Sequence, residues 1–199
     1  MMRKFALLFV ITFALFSCAN QGSEGQNEAS NETEETESNL DLLSAEELVT
    51  VINKRKAAAQ EDSSGNKQLL IDLMQAYTVY GARFPNTAGA PDFLFSAGEI
   101  AMNLGLSVQA IKLFETVYDD YQDYEKHEYA LFFKAYVIEN QAMQYEEAKR
   151  LYTEFIEKYP DHSMADDAKF SILNMGKSPE ELIQEFERQD SIRKAQEAS

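Results

Sequence analysis

The sequence has one cysteine, Cys18, no tryptophan, and only two histidines among its 199 residues. A lone cysteine cannot form an internal disulfide, and no neighbouring Cys or His could share a metal with it. There are four prolines, and each lies between segments of helical apolar periodicity. Strand-like alternation and Asn-Gly turns are absent. These absences favour an all-α fold.

Basic residues are scarce compared with acidic ones. The chain has 18 Lys and Arg against 34 Asp and Glu, which gives a net charge of −16. Nucleic acids and anionic lipid surfaces are bound by positive patches, so the composition argues against both as direct partners. A solvated acidic surface, or an acidic surface that favours a basic partner, is consistent with the charge.

Sequence signatures of catalysis are missing too. The chain has no Gly-x-Ser-x-Gly, no phosphate-binding glycine loop and no His-Glu-x-x-His pair. We expect His127 and His162 to be solvated, at equivalent turns between repeats. Three acidic pairs fall in predicted first helical turns, where the helix dipole favours carboxylates: Glu46-Glu47, Glu146-Glu147 and Glu180-Glu181. We therefore predict no enzymatic activity, catalytic residue, cofactor, metal site or small-molecule substrate.

An apolar run, residues 5–16, follows Arg3 and Lys4, as in a secretory signal. It is shorter than the roughly 20 apolar residues that span a membrane. The junction that follows, Leu-Phe-Ser-Cys at residues 15–18, resembles the lipobox of bacterial lipoproteins. The resemblance implies cleavage before Cys18, attachment of a lipid to its thiol, acylation of the new amine and membrane anchoring through the lipid. Cleavage after Ala19, which would release a soluble protein, is the alternative.

Residues 18–41 differ in composition from the rest of the chain. No Lys or Arg occurs from residue 19 to residue 53, and Glu, Ser, Asn, Gln and Gly fill most of the stretch before Leu42. Such a segment cannot bury enough apolar surface to offset the entropy cost of ordering it. We predict a signal peptide at 1–17, a lipidated cysteine with a disordered acidic tether at 18–41, and a helical domain at 42–199.

Capping signals divide the domain into eight predicted helices. The first begins at a capping box formed by Ser44 and Glu47, Asn66 caps the second, and Ser107 is expected to cap the fourth. Pro179 stands at the first position of the last. The expected ranges are about 45–60, 67–83, 91–103, 107–121, 125–140, 145–159, 163–176 and 178 onward.

The chain also resembles itself at an offset of 38 residues, at which residues 110–133 fall on residues 148–171. Small and aromatic residues recur at matching places: Gly98, Ala110 and Phe114 in one unit, then Ala148, Tyr152 and Pro160 in the next. The pattern resembles tetratricopeptide repeats (TPR) over residues 85–175. It departs from the family in that Leu94 or Phe132 replaces the usual tryptophan, and Tyr136 is assigned to the glycine position.

The resemblance implies an α-α superhelix of about three to four helical hairpins. Because each hairpin leaves an apolar face uncovered, stacking of successive hairpins would supply the core. Ala110 and Ala148 are expected where the two helices of a hairpin cross. The spaces between hairpins would be filled by Phe114, Tyr152, Phe132 and Phe170.

The repeats recur every 38 residues, which is longer than the family's usual period of about 34. Repeats stretched in this way are most similar to two families of bacterial envelope lipoproteins, the repeat lipoproteins of outer-membrane β-barrel assembly and the periplasmic coordinators of envelope constriction. This similarity implies a membrane-anchored scaffold for protein–protein interaction in the cell envelope. The outer membrane facing the periplasm is the expected location, with the cell surface as the alternative. A structural subunit of an outer-membrane assembly complex, such as the β-barrel assembly machinery, is the alternative role.

Partner binding would fall on the first helix of each hairpin if the family's groove positions apply. The positions carried over are Phe95, Glu99, Met102 and Asn103 in one repeat, and Phe133, Val137, Asn140 and Gln141 in the next. The carboxylate of Glu99 and the amides of Asn103, Asn140 and Gln141 could bind a peptide backbone or polar side chains. Residues 129–138 are apolar nearly all round the helix, which favours plain burial of Phe133 and Val137. The convex face and the acidic tether are alternative binding sites, and the sequence does not name the partner.

Overall fold

We describe a computed structural model in which residues 39–197 are defined. These residues form one short 3-10 helix, Leu40–Leu42, and eight α-helices, with no β-strand among them. The helices are α1 (Ala45–Glu61), α2 (Lys67–Arg83), α3 (Ala90–Asn103), α4 (Ser107–Asp120), α5 (His127–Asn140), α6 (Tyr145–Lys158), α7 (Ala165–Asn174) and α8 (Pro179–Glu197). The predicted signal peptide, Cys18 and the tether up to residue 38 lie outside the described residues.

Side-chain caps mark the starts of three of the eight described α-helices, α1, α2 and α8. Glu47 N donates to Ser44 Oγ while Ser44 N donates to the Glu47 carboxylate, so the predicted capping box is confirmed. The side chain of Asn66 caps α2 as expected. Ser107 does not cap α4, because it is the first helical residue and no side-chain cap precedes it. The three acidic pairs all lie in first turns.

Consecutive helices pack against each other from α1 to α7. One apolar cluster joins the 3-10 helix and α1–α4 with the inner side of α5, and a second joins α5, α6 and α7. No residue of α8 within the described part of the chain is buried. This arrangement of stacked helix pairs confirms the predicted TPR-like superhelix. None of the described helices is both long enough and apolar enough to cross a membrane.

Small residues permit close helix contacts at the predicted crossings. Ala110 and Ala148 are fully buried. A Cβ atom added to Gly98 would lie 2.8 Å from the ring of Phe114, closer than real Cβ contacts allow. Phe114, Tyr152 and Phe132 fill the interior as expected. Phe170 does not, because it is half exposed and its ring stacks on that of Phe186 of α8, with centroids 6.4 Å apart.

The packed unit also begins earlier than residue 42. Leu40, which the sequence analysis placed in the tether, is buried against the first apolar cluster. The guanidinium of Arg83 at the end of α2 donates to the carbonyl oxygens of Leu40 (3.0 Å) and Leu43 (2.6 Å). These bonds hold the 3-10 helix against the second helix of the first hairpin.

Candidate protein-binding face

The two central hairpins, α3–α4 and α5–α6, differ in length by one residue. This difference decides which side chains of α3 and α5 correspond on the surface formed by the first helices of the hairpins. Helices α3 and α5 begin at residues 90 and 127, whereas α4 and α6 begin at 107 and 145. The extra residue lies in the turn after α5, where Met143 takes a positive φ of 55°. The repeat offset is therefore 37 residues for α3 and α5, and 38 for α4 and α6.

This shift corrects the expected glycine position. At an offset of 37, Gly98 corresponds to Ala135, which is fully buried, and not to Tyr136, which is 41% exposed. The turn bonds agree: Leu106 N donates to Ala101 O at 2.8 Å, and Gln144 N donates to Ile138 O at 3.0 Å. Each bond closes the equivalent helix end, but the second spans one more residue.

In the first of these hairpins, the proposed groove positions are partly closed. Phe95 is only 2% exposed, because the rings of Tyr124 and Phe133 and the ammonium of Lys126 cover it. Glu99 is half-buried, and burial raises the pKa of its carboxyl, with the charge of Lys126 partly opposing the rise. Met102 is half-buried and Asn103 is exposed.

In the second hairpin, only one of the four expected residues is exposed. Asn140 lies at the surface, where its Nδ2 donates to the carbonyl of Tyr136 at 3.0 Å. Val137 is fully buried, and Phe133 packs between Phe95 and Phe132. Gln141 links the two hairpins, since its Nε2 donates a hydrogen bond to the carbonyl of Met102 at 2.8 Å.

The structure instead opens a cleft of about 500 Å³ between α5, α7 and the start of α8. Exposed aromatic and apolar side chains contribute much of its lining: Tyr136, Met143, Tyr145 and Phe170. Polar side chains from the same three helices complete it, namely Glu139, Asn140, Ser171, Asn174 and Glu181. Exposed aromatic rings and methionine are enriched at protein-binding surfaces, with polar groups at their rim.

Hydrogen bonds hold several of these side chains in place. The hydroxyl of Tyr152 donates to the Glu139 carboxylate at 2.9 Å, and burial chiefly raises the pKa of that hydroxyl. Asn174 Nδ2 donates to the carbonyl of Phe170 at 2.9 Å, and Lys177 donates to Asn174 Oδ1 at 3.2 Å. The cleft is thus a set of oriented polar groups around three exposed aromatic rings, those of Tyr136, Tyr145 and Phe170.

Sequence reasoning found Asn140 but missed Tyr136, Glu139 and Phe170 as lining residues of this cleft. For Tyr136 and Glu139 the miss follows from the register, because an offset of 38 carries Glu99 to Val137 and an offset of 37 carries it to Tyr136. Phe170 was missed because it was expected in the interior. Pairing Phe95 with Phe132, the aromatic residue that itself matches Phe170, would have indicated the correct offset.

The two histidines are packed between repeats, so the expectation that both are solvated is wrong. The His127 ring stacks on Tyr118 with centroids 4.6 Å apart, and its Nε2 lies 3.2 Å from the hydroxyl of Tyr159. His162 has a side chain only 9% exposed and lies against Tyr129 and Phe155. Within residues 39–197, no group of three or more His, Cys, Asp and Glu side chains could hold a metal.

Comparison with known families matches one part of this architecture. Residues 130–162, which cover most of α5, all of α6 and the turn that follows, match the family model of the tetratricopeptide repeat. A search of curated proteins found no match. The chain therefore contains a tetratricopeptide repeat at residues 130–162, set in a helical fold of the same type.

Proposed function

We propose that this protein is a lipid-anchored TPR scaffold of the bacterial cell envelope that holds a protein partner in the cleft between α5, α7 and α8. The observation that carries the proposal is this open, aromatic-lined cleft on the first-helix side of a TPR fold. Repeat proteins of this kind bind other proteins through side chains that their stacked helices present side by side. The role is that of a binding protein and not of an enzyme.

The anchoring half of the proposal rests on the Leu-Phe-Ser-Cys junction at residues 15–18. In the mature protein, Cys18 would carry the lipid and the acidic segment after it would connect the lipid to the helical domain. The outer membrane, facing the periplasm, is the proposed location. An anchored domain with a net negative charge stays soluble beside the membrane without docking on anionic lipid.

Replacement of the cysteine tests the anchor. Cys18→Ala should move the protein from the membrane fraction to the soluble fraction or leave an uncleaved precursor. The intact mass of the mature wild-type N-terminus gives an independent measurement, with a diacylated and N-acylated Cys18 expected. A mature chain that begins unmodified at Asn20 would contradict the lipoprotein assignment.

Site-specific photo-crosslinking tests the cleft. A photoreactive amino acid at Tyr136, 41% exposed in the cleft, should give a discrete adduct with one protein in intact cells. The matched control is the same amino acid at Val108, which is 76% exposed on α4 and outside the cleft. Equal adduct patterns from the two positions would contradict binding at the cleft. A stoichiometric adduct with an essential assembly protein would indicate a fixed subunit and not a transient scaffold.

A further inference from the structure

A second groove runs along the other side of the molecule, between the second helices of the first two hairpins. It has a volume of about 460 Å³ and is mainly apolar. Leu94 and Leu113 contribute apolar side chains, with Met74 and Ala82 of α2 beside them. The lining extends from Met74 to Pro85, which for a helix rise of 1.5 Å per residue is roughly 16 Å. An extended segment of about five residues would span it.

One hairpin further along, the side chain of Tyr118 lies between the second helices α4 and α6. Tyr118 on α4 lies three residues before the helix-ending Tyr121, as Gly81 on α2 lies three residues before Phe84. The Tyr118 hydroxyl accepts from Lys158 of α6 at 2.8 Å and lies 3.5 Å from Glu154. Gly81 carries no side chain, and Leu94 of α3 occupies the place that a Cβ on it would take, so the groove between α2 and α4 lies beside this contact.

Substitution at Gly81 is also prevented by the fold. A Cβ atom on this residue would lie 2.4 Å from Cγ of Leu94, which packs directly over it. A glycine at residue 81 is therefore required for the close packing of α2 on α3 beside the groove. A large side chain can occupy the groove only from outside the hairpin.

Charge distinguishes the two parts of the groove, because Lys112 lines its middle part and Asp120 lines the end formed by the last turn of α4. There the groove shares Pro85, Asp120 and Tyr121 with a second cavity of about 610 Å³, formed by the turns after α2 and α4. The charged residues that line this second cavity are all acidic: Asp120, Asp123 and Glu125. Lys158, which donates to Tyr118, is the last residue of α6, and Asp120 is the last residue of α4. The position that is basic between α4 and α6 is therefore acidic between α2 and α4.

We propose that the groove between α2 and α4 is a second docking site, which takes a short segment of a partner protein with an aromatic side chain followed or preceded by lysine or arginine. The aromatic ring would lie in the groove between Met74 and Ala82 of α2 and Leu113 of α4, beside the contact of Leu94 with Gly81. The basic residues would reach Asp120, Asp123 and Glu125. Charge complementarity selects such a partner, because the apolar groove ends in carboxylates on a protein of net charge −16.

Short fluorescent peptides test the groove with the full mature protein in detergent. The probes are Gly-Phe-Gly-Lys-Lys and its reverse, with Gly-Ser-Gly-Lys-Lys and Gly-Phe-Gly-Glu-Glu as controls. Fluorescence polarisation should show that at least one Phe-Lys peptide binds at least tenfold more tightly than both control peptides. Binding should weaken with salt, because exposed charges are screened. Equal binding of the Phe and Ser peptides would overturn the proposal.

Two variants locate the binding. Ala82→Trp introduces a large ring from an exposed position on the groove wall and should weaken binding of the Phe-Lys peptide at least tenfold. Asp120→Lys combined with Asp123→Lys should do the same by reversing the charge at the acidic end. The matched control pair is Glu157→Lys with Asp161→Lys, exposed acidic residues of the corresponding helix end and turn one repeat on, and it should leave binding unchanged.

A urea midpoint equal to wild type shows that each variant is folded, and unchanged peptide binding by a folded Ala82→Trp protein would overturn the assignment. A dimer that forms in sedimentation and is lost in Ala82→Trp would assign the groove to a second copy and also overturn it. Crosslinking at Tyr136 is independent of these outcomes, so this proposal and the proposed function can fail separately.

Discussion

Phe132 and Phe170 occupy the same position in successive first helices, yet their environments differ. Phe132 is 5% exposed and is enclosed by Phe133, Tyr152 and Phe155. Phe170 is 50% exposed and stacks only on Phe186 of α8 among the rings of the described residues. The sequence of a repeat therefore does not determine whether its aromatic residue is core or surface. The following hairpin determines this, because it supplies the second wall of the interior.

The largest effect should come from truncating these two rings. Phe132→Ala should lower the free energy of unfolding by about 3–5 kcal/mol, because it leaves a cavity in a closed interior. Phe170→Ala should cost less than about 1 kcal/mol, since the ring is half in water. Urea unfolding measures both. Similar midpoints for the two variants would contradict the difference in packing between the interior and the C-terminal hairpin.

Overpacking tests the interior at a helix crossing. Ala148→Leu should destabilise the protein by about 1–3 kcal/mol, since Ala148 is fully buried against its hairpin partner. The matched control is Ala57→Leu, because Ala57 is exposed on α1. Equal unfolding midpoints for the two leucine variants would argue against the assigned crossing.

Removal of α8 tests whether the C-terminal hairpin, which contains the exposed Phe170, contributes to stability. A chain that ends at Lys177 should lose less than about 1 kcal/mol, because no side chain of α8 is buried within the described residues. Phe170 should become still more exposed, which an increase in binding of a hydrophobic dye would report. A drop of several kcal/mol in the free energy of unfolding would mean that α8 completes the last hairpin in solution.

The smallest effect concerns pH at the joint between α4 and α5. Burial chiefly lowers the pKa of His127 below its usual value of 6.5, although the nearby Glu128 opposes this. The unfolded chain therefore binds the proton more tightly, so the contribution of His127 to stability is present above pH 6.5 and is lost as pH falls through the folded pKa. The loss of stability between pH 7 and pH 5 should be smaller in His127→Phe, which keeps a ring against Tyr118.

Thermal unfolding of the wild-type protein and the variant at several pH values checks this, with the difference between the two proteins cancelling the titration of surface carboxylates. Identical pH profiles would show that protonation of His127 does not couple to folding. Lys158 and Asp119 also act on the imidazole, Lys158 lowering and Asp119 raising its pKa, so the experiment should be done at constant ionic strength.

Most of the helical architecture was predictable from local chemistry. The capping box at Ser44, the cap at Asn66 and the proline at residue 179 placed helix starts to within a residue. Ser107 shows the limit of this reasoning, since a residue that can cap a helix is also compatible with its first turn. The TPR resemblance also predicted the buried alanines and most interior aromatics, because these positions depend on contacts within one hairpin or with its next neighbour.

The candidate site was less predictable. Of its lining residues, Asn140 was expected and Tyr136, Glu139 and Phe170 were not. Phe95 was expected at the surface, but Tyr124 and Lys126 from the following turn cover it. Each miss came from a neighbour contributed by another hairpin or from the extra residue in the turn after α5.

The sequence by itself determined the composition of the N-terminal segment, the number and approximate bounds of the helices, and the TPR-like pairing that brings them together. Only the tertiary structure decided the covering of Phe95, the exposure of Phe170 and the open groove beside Gly81. The physical reason is the distance along the chain over which each interaction acts. Caps and periodicity act over three or four residues, whereas the burial of a side chain depends on atoms that the fold brings close from a repeat away.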